Sequence, residues 1–197
     1  MLTTISEIVT RISELESQLE LALREEAESK RREFLYVIEK GKVAFNSEAD
    51  AVHRTIRQGV PAFLWEAPFK SLLAAPLTYS LIVPLLFLDA WVWLYQAVCF
   101  PVYGIEKVAR SRYILLDRGR LRYLNVIERL NCDYCGYANG LIAYVREVAA
   151  RTEQYFCPIK HARRCSGTHA RYSAFLDFGD ARAYRKELAK LRAALKP

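Results

Sequence analysis

From Leu72 to Ile105 the chain has no lysine, arginine or glutamate in 34 residues, and its one charge there is Asp89. A run this poor in charge does not belong on a solvated surface, and it exceeds the roughly 20 apolar residues that one membrane crossing needs. Catalytic signatures are missing as well. No GxSxG, phosphate-binding glycine loop, HExxH or dinucleotide fingerprint occurs, and no catalytic constellation emerges from the spacing of the remaining residues. "DFGDAR", Asp177 to Arg182, shares letters with a kinase motif, but the other kinase signatures are absent; Asp180 reads instead as the cap of a final helix, Ala181 to Leu195. There is no repeat and no low-complexity linker, and "MLTTISEIVTRISELESQLELALR" lacks the continuous apolar core of a cleavable signal peptide, so none is expected.

What is present is unevenly spread. Residues 1–70 carry ten basic and twelve acidic residues, and residues 106–197 carry nineteen basic and nine acidic ones, so the basic character belongs to the C-terminal part. The pattern implies a mainly α chain in three regions: amphipathic or coiled-coil helices over 1–60, a membrane-embedded hairpin over 61–105, and a basic Cys/His domain, α with some β, over 106–197.

Ile5, Ile8, Ile12, Leu15, Leu19 and Ala22 alternate spacings of three and four, with Glu7, Glu14, Glu16 and Glu20 between them. Such a pattern makes about three heptads, which suit a helix packed on its own chain, a protein partner, or self-association through residues 3–24. A second helix is expected from Asn46 or Ser47, with Glu48 and Asp50 in its first turn, stopping before Gly59-Val60-Pro61.

The apolar run admits several arrangements. In one, Leu72 to Leu88 and Ala90 to Ile105 form a helical hairpin with Asp89 at its tip. Trp91, Trp93 and Tyr95 then sit near the far interface and Trp65, Phe69 and Tyr103 near the other. In another, one tilted helix crosses and Asp89 lies near mid-bilayer, which is costly and would mark a functional residue. Basic residues flank both ends (Arg54, Arg57 and Lys70 before; Lys107, Arg110, Arg112, Arg118, Arg120 and Arg122 after) and favour the hairpin, with both termini cytoplasmic. A re-entrant hairpin satisfies the same charges, and a buried helical pair in a soluble core is the alternative without a membrane.

Beyond the run, "RYILLDRGRLRYL" reads as two short strands around Asp117-Arg118-Gly119. Five cysteines without a secretory signal suggest a reducing compartment, where CxxC points to metal or redox chemistry. Cys132-x2-Cys135 followed by Gly136 has the form of a metal knuckle, and Pro158 suits the first turn of a helix that Cys157 would cap, with His161 one turn on. The expected metal ligands are Cys132, Cys135, Cys157 and His161, with Cys165 as the alternative fourth ligand, holding zinc or alternatively iron. That site requires "GYANG" to be a loop, the helix from Leu141 to end near Ala150 or Arg151, and the chain to return extended through Tyr155 and Phe156. A continuous helix from Cys135 to Cys157 would put its ends about 33 Å apart. A CxxC redox pair is the competing reading. Cys99 is expected to be a packing residue and His53 and His169 surface histidines; Glu147 and Glu153 are available as carboxylates for a catalytic zinc, but nothing in the spacing selects them.

"LNCDYCGYANGLIAYVREVAARTEQYFCPIKHARR", with "FPVYGIEKV" upstream, resembles a group of uncharacterised bacterial proteins that carry a hydrophobic segment before a cysteine region. The likeness covers roughly Phe100 to Arg164 and implies a bacterial membrane-associated protein; no activity comes with it. "CDYCGY" is also similar to one knuckle of rubredoxin, but the second knuckle is absent, which favours zinc over iron. Together these expectations describe a metal-binding scaffold or interaction module at the cytoplasmic face of the bacterial inner membrane, with membrane lipid as partner. A membrane redox protein or metalloenzyme is the alternative. Nucleic acid is an unlikely partner for the basic region, because the membrane segment competes with that role.

Overall fold

The structure is a computed structural model and describes residues 2–39 and 42–196, the side chains of residues 2–6 and Val9 excepted. It is mainly helical. Helix α1 (Leu2–Glu33) leads into a two-stranded antiparallel sheet, β1 (Tyr36–Glu39) and β2 (Lys42–Phe45), in which Tyr36 pairs with Phe45 and Glu39 with Lys42. Then follow α2 (Ser47–Ile56), α3 (Val60–Glu66), α4 (Phe69–Ser80), α5 (Ile82–Tyr103), α6 (Val126–Phe156) and α7 (Ala181–Ala193). The chain forms two units, residues 1–62 with 117–129 and residues 63–116 with 130–197.

Local sequence sets the helix starts that were expected. Asn46 caps α2, its side chain accepting a hydrogen bond from Ala49 N–H, and Asp180 caps α7 in the same way through Ala183 N–H. Each satisfies one of the donors that a helix start leaves without an internal partner.

Four local expectations are corrected. Asp89 lies inside α5 and not at a hairpin tip; the break in the apolar segment falls at Leu81, between α4 and α5. No strand forms over 112–124, where short 3-10 turns at Arg110–Arg112 and Arg118–Arg120 bracket an irregular stretch. That stretch packs on α6 instead of pairing with itself, and the glycines of "GYANG" serve this contact and do not make a loop: a Cβ on Gly140 would stand 2.5 Å from the Tyr113 carbonyl oxygen, and one on Gly136 would stand 3.4 Å from that of Leu115. Finally, α6 does not stop near Ala150 but runs unbroken to Phe156, with Cys157 and Pro158 beyond its end.

In the second unit α4–α5 and α6 run parallel, because their contacts advance together. Tyr79 bonds Asn131, Tyr137 bonds Asp89, Gln96 bonds Tyr144, and the Tyr103 ring meets that of Tyr155. The core lies between them. Leu85, Val92 and Phe100 of α5 meet Leu141, Tyr144 and Val148 of α6, with Ile105, Val108 and Leu195 closing the ends. Gly104 turns the chain out of α5 in the left-handed conformation (φ 65°), which suits glycine at a helix C-terminus.

Candidate functional site

Helix α5 has two unlike sides. The packed side carries Leu85, Val92, Gln96 and Phe100, all buried. On the opposite side Val83, Phe87, Trp91, Leu94, Val98 and Val102 follow one another at spacings of three and four and are 46–75% exposed. Upstream, Phe69, Leu73 and Leu77 extend the apolar stripe along α4, and Trp65 is 92% exposed. Phe69–Tyr103 is long and apolar enough to cross a membrane, and its most apolar 18-residue window has a mean hydropathy of 1.9. So large an apolar surface left open marks a place where lipid or another apolar surface belongs.

The packed side is where the polar groups of the segment are satisfied. Asp89 accepts two hydrogen bonds from Arg110, from Nε at 3.0 Å and Nη2 at 2.5 Å, and a third from the Tyr137 hydroxyl at 2.9 Å. The isolated charge of the apolar run is therefore paired and turned away from the open face. Beside Asp89, the Arg110 pKa is raised further, chiefly by this hydrogen bond. Burial pushes the Tyr137 phenol up and its bond to Asp89 adds to the effect, so Tyr137 stays protonated and remains a donor. One helical turn pair further on, Gln96 grips the connector: its carbonyl accepts from Val108 N–H at 2.7 Å while its amide donates to the Val108 carbonyl and to the Tyr144 hydroxyl, both at 3.2 Å. Nothing in the sequence indicated Tyr137 or Gln96; the lone aspartate in an apolar run was the one signal that could be read.

A second polar cluster ties the C-terminal residues to α6. Glu147 Oε1 accepts from Arg151 Nε at 2.9 Å and from Arg171 Nε and Nη2 at 3.2 and 2.9 Å. Arg171 also donates to Gln154, Arg151 to the Glu106 carbonyl, and Gln154 to the Leu191 carbonyl. Burial pushes the Glu147 carboxyl up, but the hydrogen bonds and charges of the two arginines outweigh burial and hold it below its ordinary value of 4.5. A carboxylate with a depressed folded pKa stabilises the fold above its unfolded pKa and loses that contribution as pH falls through the folded one. Urea titrations should therefore show the parent more stable than Glu147→Gln at neutral pH, with the difference shrinking only below pH 4.5; a gap that is flat from neutrality down to strongly acidic pH would contradict the pairing.

The structure does not bring the expected metal ligands together. Cys132 and Cys135 lie one turn apart within α6, and Cys157 follows its far end. Twenty-two residues of unbroken helix at 1.5 Å each separate Cys135 from Cys157 by about 33 Å, far beyond the span of one ion with bonds of about 2.3 Å. His161 is exposed, its ring stacked on Tyr172 and its backbone N–H donating to the tyrosine hydroxyl, and Cys165 is exposed too. Among the described residues no group of three or more Cys, His, Asp or Glu side chains is placed to hold a metal. The two other histidines are not plain surface residues. His169 Nε2 shares a hydrogen bond with Glu153 at 2.9 Å, and its ring is flanked by Tyr172 and Phe175. His53 is half-buried between the rings of Phe45 and Tyr123, where the first unit opens an apolar cleft of 740 Å³.

The chain matches no protein-family model, no curated protein and no solved structure. Its function has to be read from the chemistry of its own surfaces.

Proposed function

We propose that this chain is a membrane-surface scaffold, with α4 and α5 laid lengthwise in the cytoplasmic leaflet of a bacterial inner membrane and the polar side of its second unit facing the cytoplasm. The observation that carries this reading is the company α5 keeps. Its open face is apolar throughout, yet α6 runs beside it for its whole length, and α6 bears Asp133, Arg146, Glu147, Arg151 and Glu153. Were α5 upright in the bilayer, α6 would carry those charges into hydrocarbon, at about 2.5–3.5 kcal/mol for each central Asp or Arg. Lying in the interface, the pair buries one side in acyl chains and keeps the other wet. Each apolar side chain fully buried contributes about 1.5–3 kcal/mol, and basic residues near anionic headgroups add about 1 kcal/mol each. The excess of arginine and lysine over 106–197 supports the second contribution. With Cys132 and Cys135 remote from Cys157, a zinc-held domain is no longer part of this reading.

Topology reporters test the orientation. Fusions after residue 60 and at the C-terminus should both report cytoplasm, and the full chain should sediment with vesicles containing anionic lipid. Reporters on opposite sides would show that Phe69–Tyr103 crosses after all, and a chain that stays in the supernatant would remove the membrane from the account.

A further inference from the structure

Helix α1 is 32 residues long, and from Glu7 to Lys30 every described residue is exposed. Its stripe is left open, with Ile8 at 54%, Ile12 at 49%, Leu15 at 49% and Leu19 at 59% exposure. Most helices in proteins owe their stability to a packed apolar face, so this helix calls for a cover. A lipid surface suits it badly: residues 2–33 hold eight acidic and five basic residues, and the cytoplasmic leaflet is itself anionic.

We infer that the cover is the α1 of a second copy of this chain, aligned parallel and in register as a short two-stranded coiled coil. In heptad terms Ile5, Ile12 and Leu19 take the a positions and Ile8, Leu15 and Ala22 the d positions. Ile12 at a with Leu15 at d is the combination that favours two parallel strands; Ile8 at d and Leu19 at a do not add to it, so the choice of partner rests on the flanking charges. The flanking charges then select the partner. In a parallel pair each g residue faces the e residue five positions later on the other helix. Arg11 at g meets Glu16 at e, opposite in sign, and Gln18 against Leu23 carries no charge; Glu25 at g would meet Lys30 at e, also opposite in sign, but this pair lies just past the last apolar layer and Lys30 is already 2.7 Å from Glu33 of its own helix. An antiparallel pair about the same seam sets Arg11 against Gln18 and Glu16 against Val9 and uses neither match. Within its own helix Arg11 reaches Glu14 at 3.2 Å, but both side chains are more than half exposed, so this contact does little to hold it back. The next two seam positions, Glu26 and Ser29, end the apolar register, which limits the coil to about three heptads.

This inference stands apart from membrane docking and is tested on the full chain in detergent micelles. Sedimentation equilibrium should show a dimer. Arg11→Glu and Glu16→Arg, each of which creates two like-charge contacts per dimer, should weaken it about tenfold, and the two combined should restore it. Ile12→Cys should give a disulfide-linked dimer on mild oxidation, above whatever the native cysteines give in the parent, because a positions face each other in a parallel pair. A monomeric chain, charge variants without mutual rescue, or a dimer that Ile12→Cys fails to link would each overturn it.

Discussion

Gly140→Ala will destabilise the second unit by about 3 kcal/mol, the upper part of the usual range for overpacking. Gly140 is buried in the middle of α6, and a Cβ there would stand 2.5 Å from the Tyr113 carbonyl oxygen, 3.0 Å from Ile114 Cα and 3.1 Å from Tyr113 C. All three are backbone atoms, so no side-chain rotation relieves the clash. Either α6 or the stretch around Tyr113 must move, and through Arg110 and Val108 that stretch is held to Asp89 and Gln96. Thermal unfolding should fall by roughly 6–12 °C on the usual scaling for chains of this size. Gly136→Ala is the control. Its nearest neighbour is 3.4 Å away, and removing a mid-helix glycine gains up to about 1 kcal/mol of helix propensity, so that variant should be neutral or slightly more stable. Equal effects at the two positions would show that α6 does not lie as close to the connector as described.

The second large effect is on membrane binding. Phe87→Glu together with Val98→Glu removes two apolar side chains from the open face, 69% and 56% exposed, and puts charges in their place. Lost burial alone costs about 3–6 kcal/mol, or a factor of roughly 10² to 10⁴ in partitioning. Helical content in detergent should be preserved, since neither residue belongs to the buried core. Vesicle flotation of parent and double variant measures the effect. Unchanged partitioning in the variant would mean that the face binds something other than lipid, and the membrane reading would fail with it.

Where the sequence could be read correctly, the cause was local. Asn46 and Asp180 cap helices three residues downstream, a relation contained within a single turn. Where it misled, distant residues decided. "GYANG" has the composition of a loop, yet both glycines are helical, and at Gly140 the missing side chain makes room for a neighbouring backbone. The expected metal site failed for the same reason: it depended on where one helix ends, and α6 is held helical to Phe156 by partners such as Thr152 with Tyr95 and Gln154 with Leu191, none of them near it in sequence. Asp89 was conspicuous as a charge, but its partners lie 21 and 48 positions away, so the sequence could flag its cost and not its solution.

The parallel course of α5 and α6 has an electrostatic consequence. Peptide dipoles add along a helix to about half a negative charge at the C-terminus, and two helices side by side in the same direction place both such ends together. Here they meet beside Tyr103 and Tyr155, whose rings lie 5.1 Å apart. Antiparallel neighbours would cancel the two fields; this pair has to be compensated from outside. Arg192 does part of it, donating from Nε to the Tyr155 carbonyl, one of the last four that α6 leaves without an internal donor. Arg151 also donates to the Glu106 carbonyl just past the end of α5, but its own charge is matched by Glu147 and Glu106. Arg192 of the C-terminal helix thus acts as a counter-ion for the helix pair, which gives this basic residue a task inside the fold.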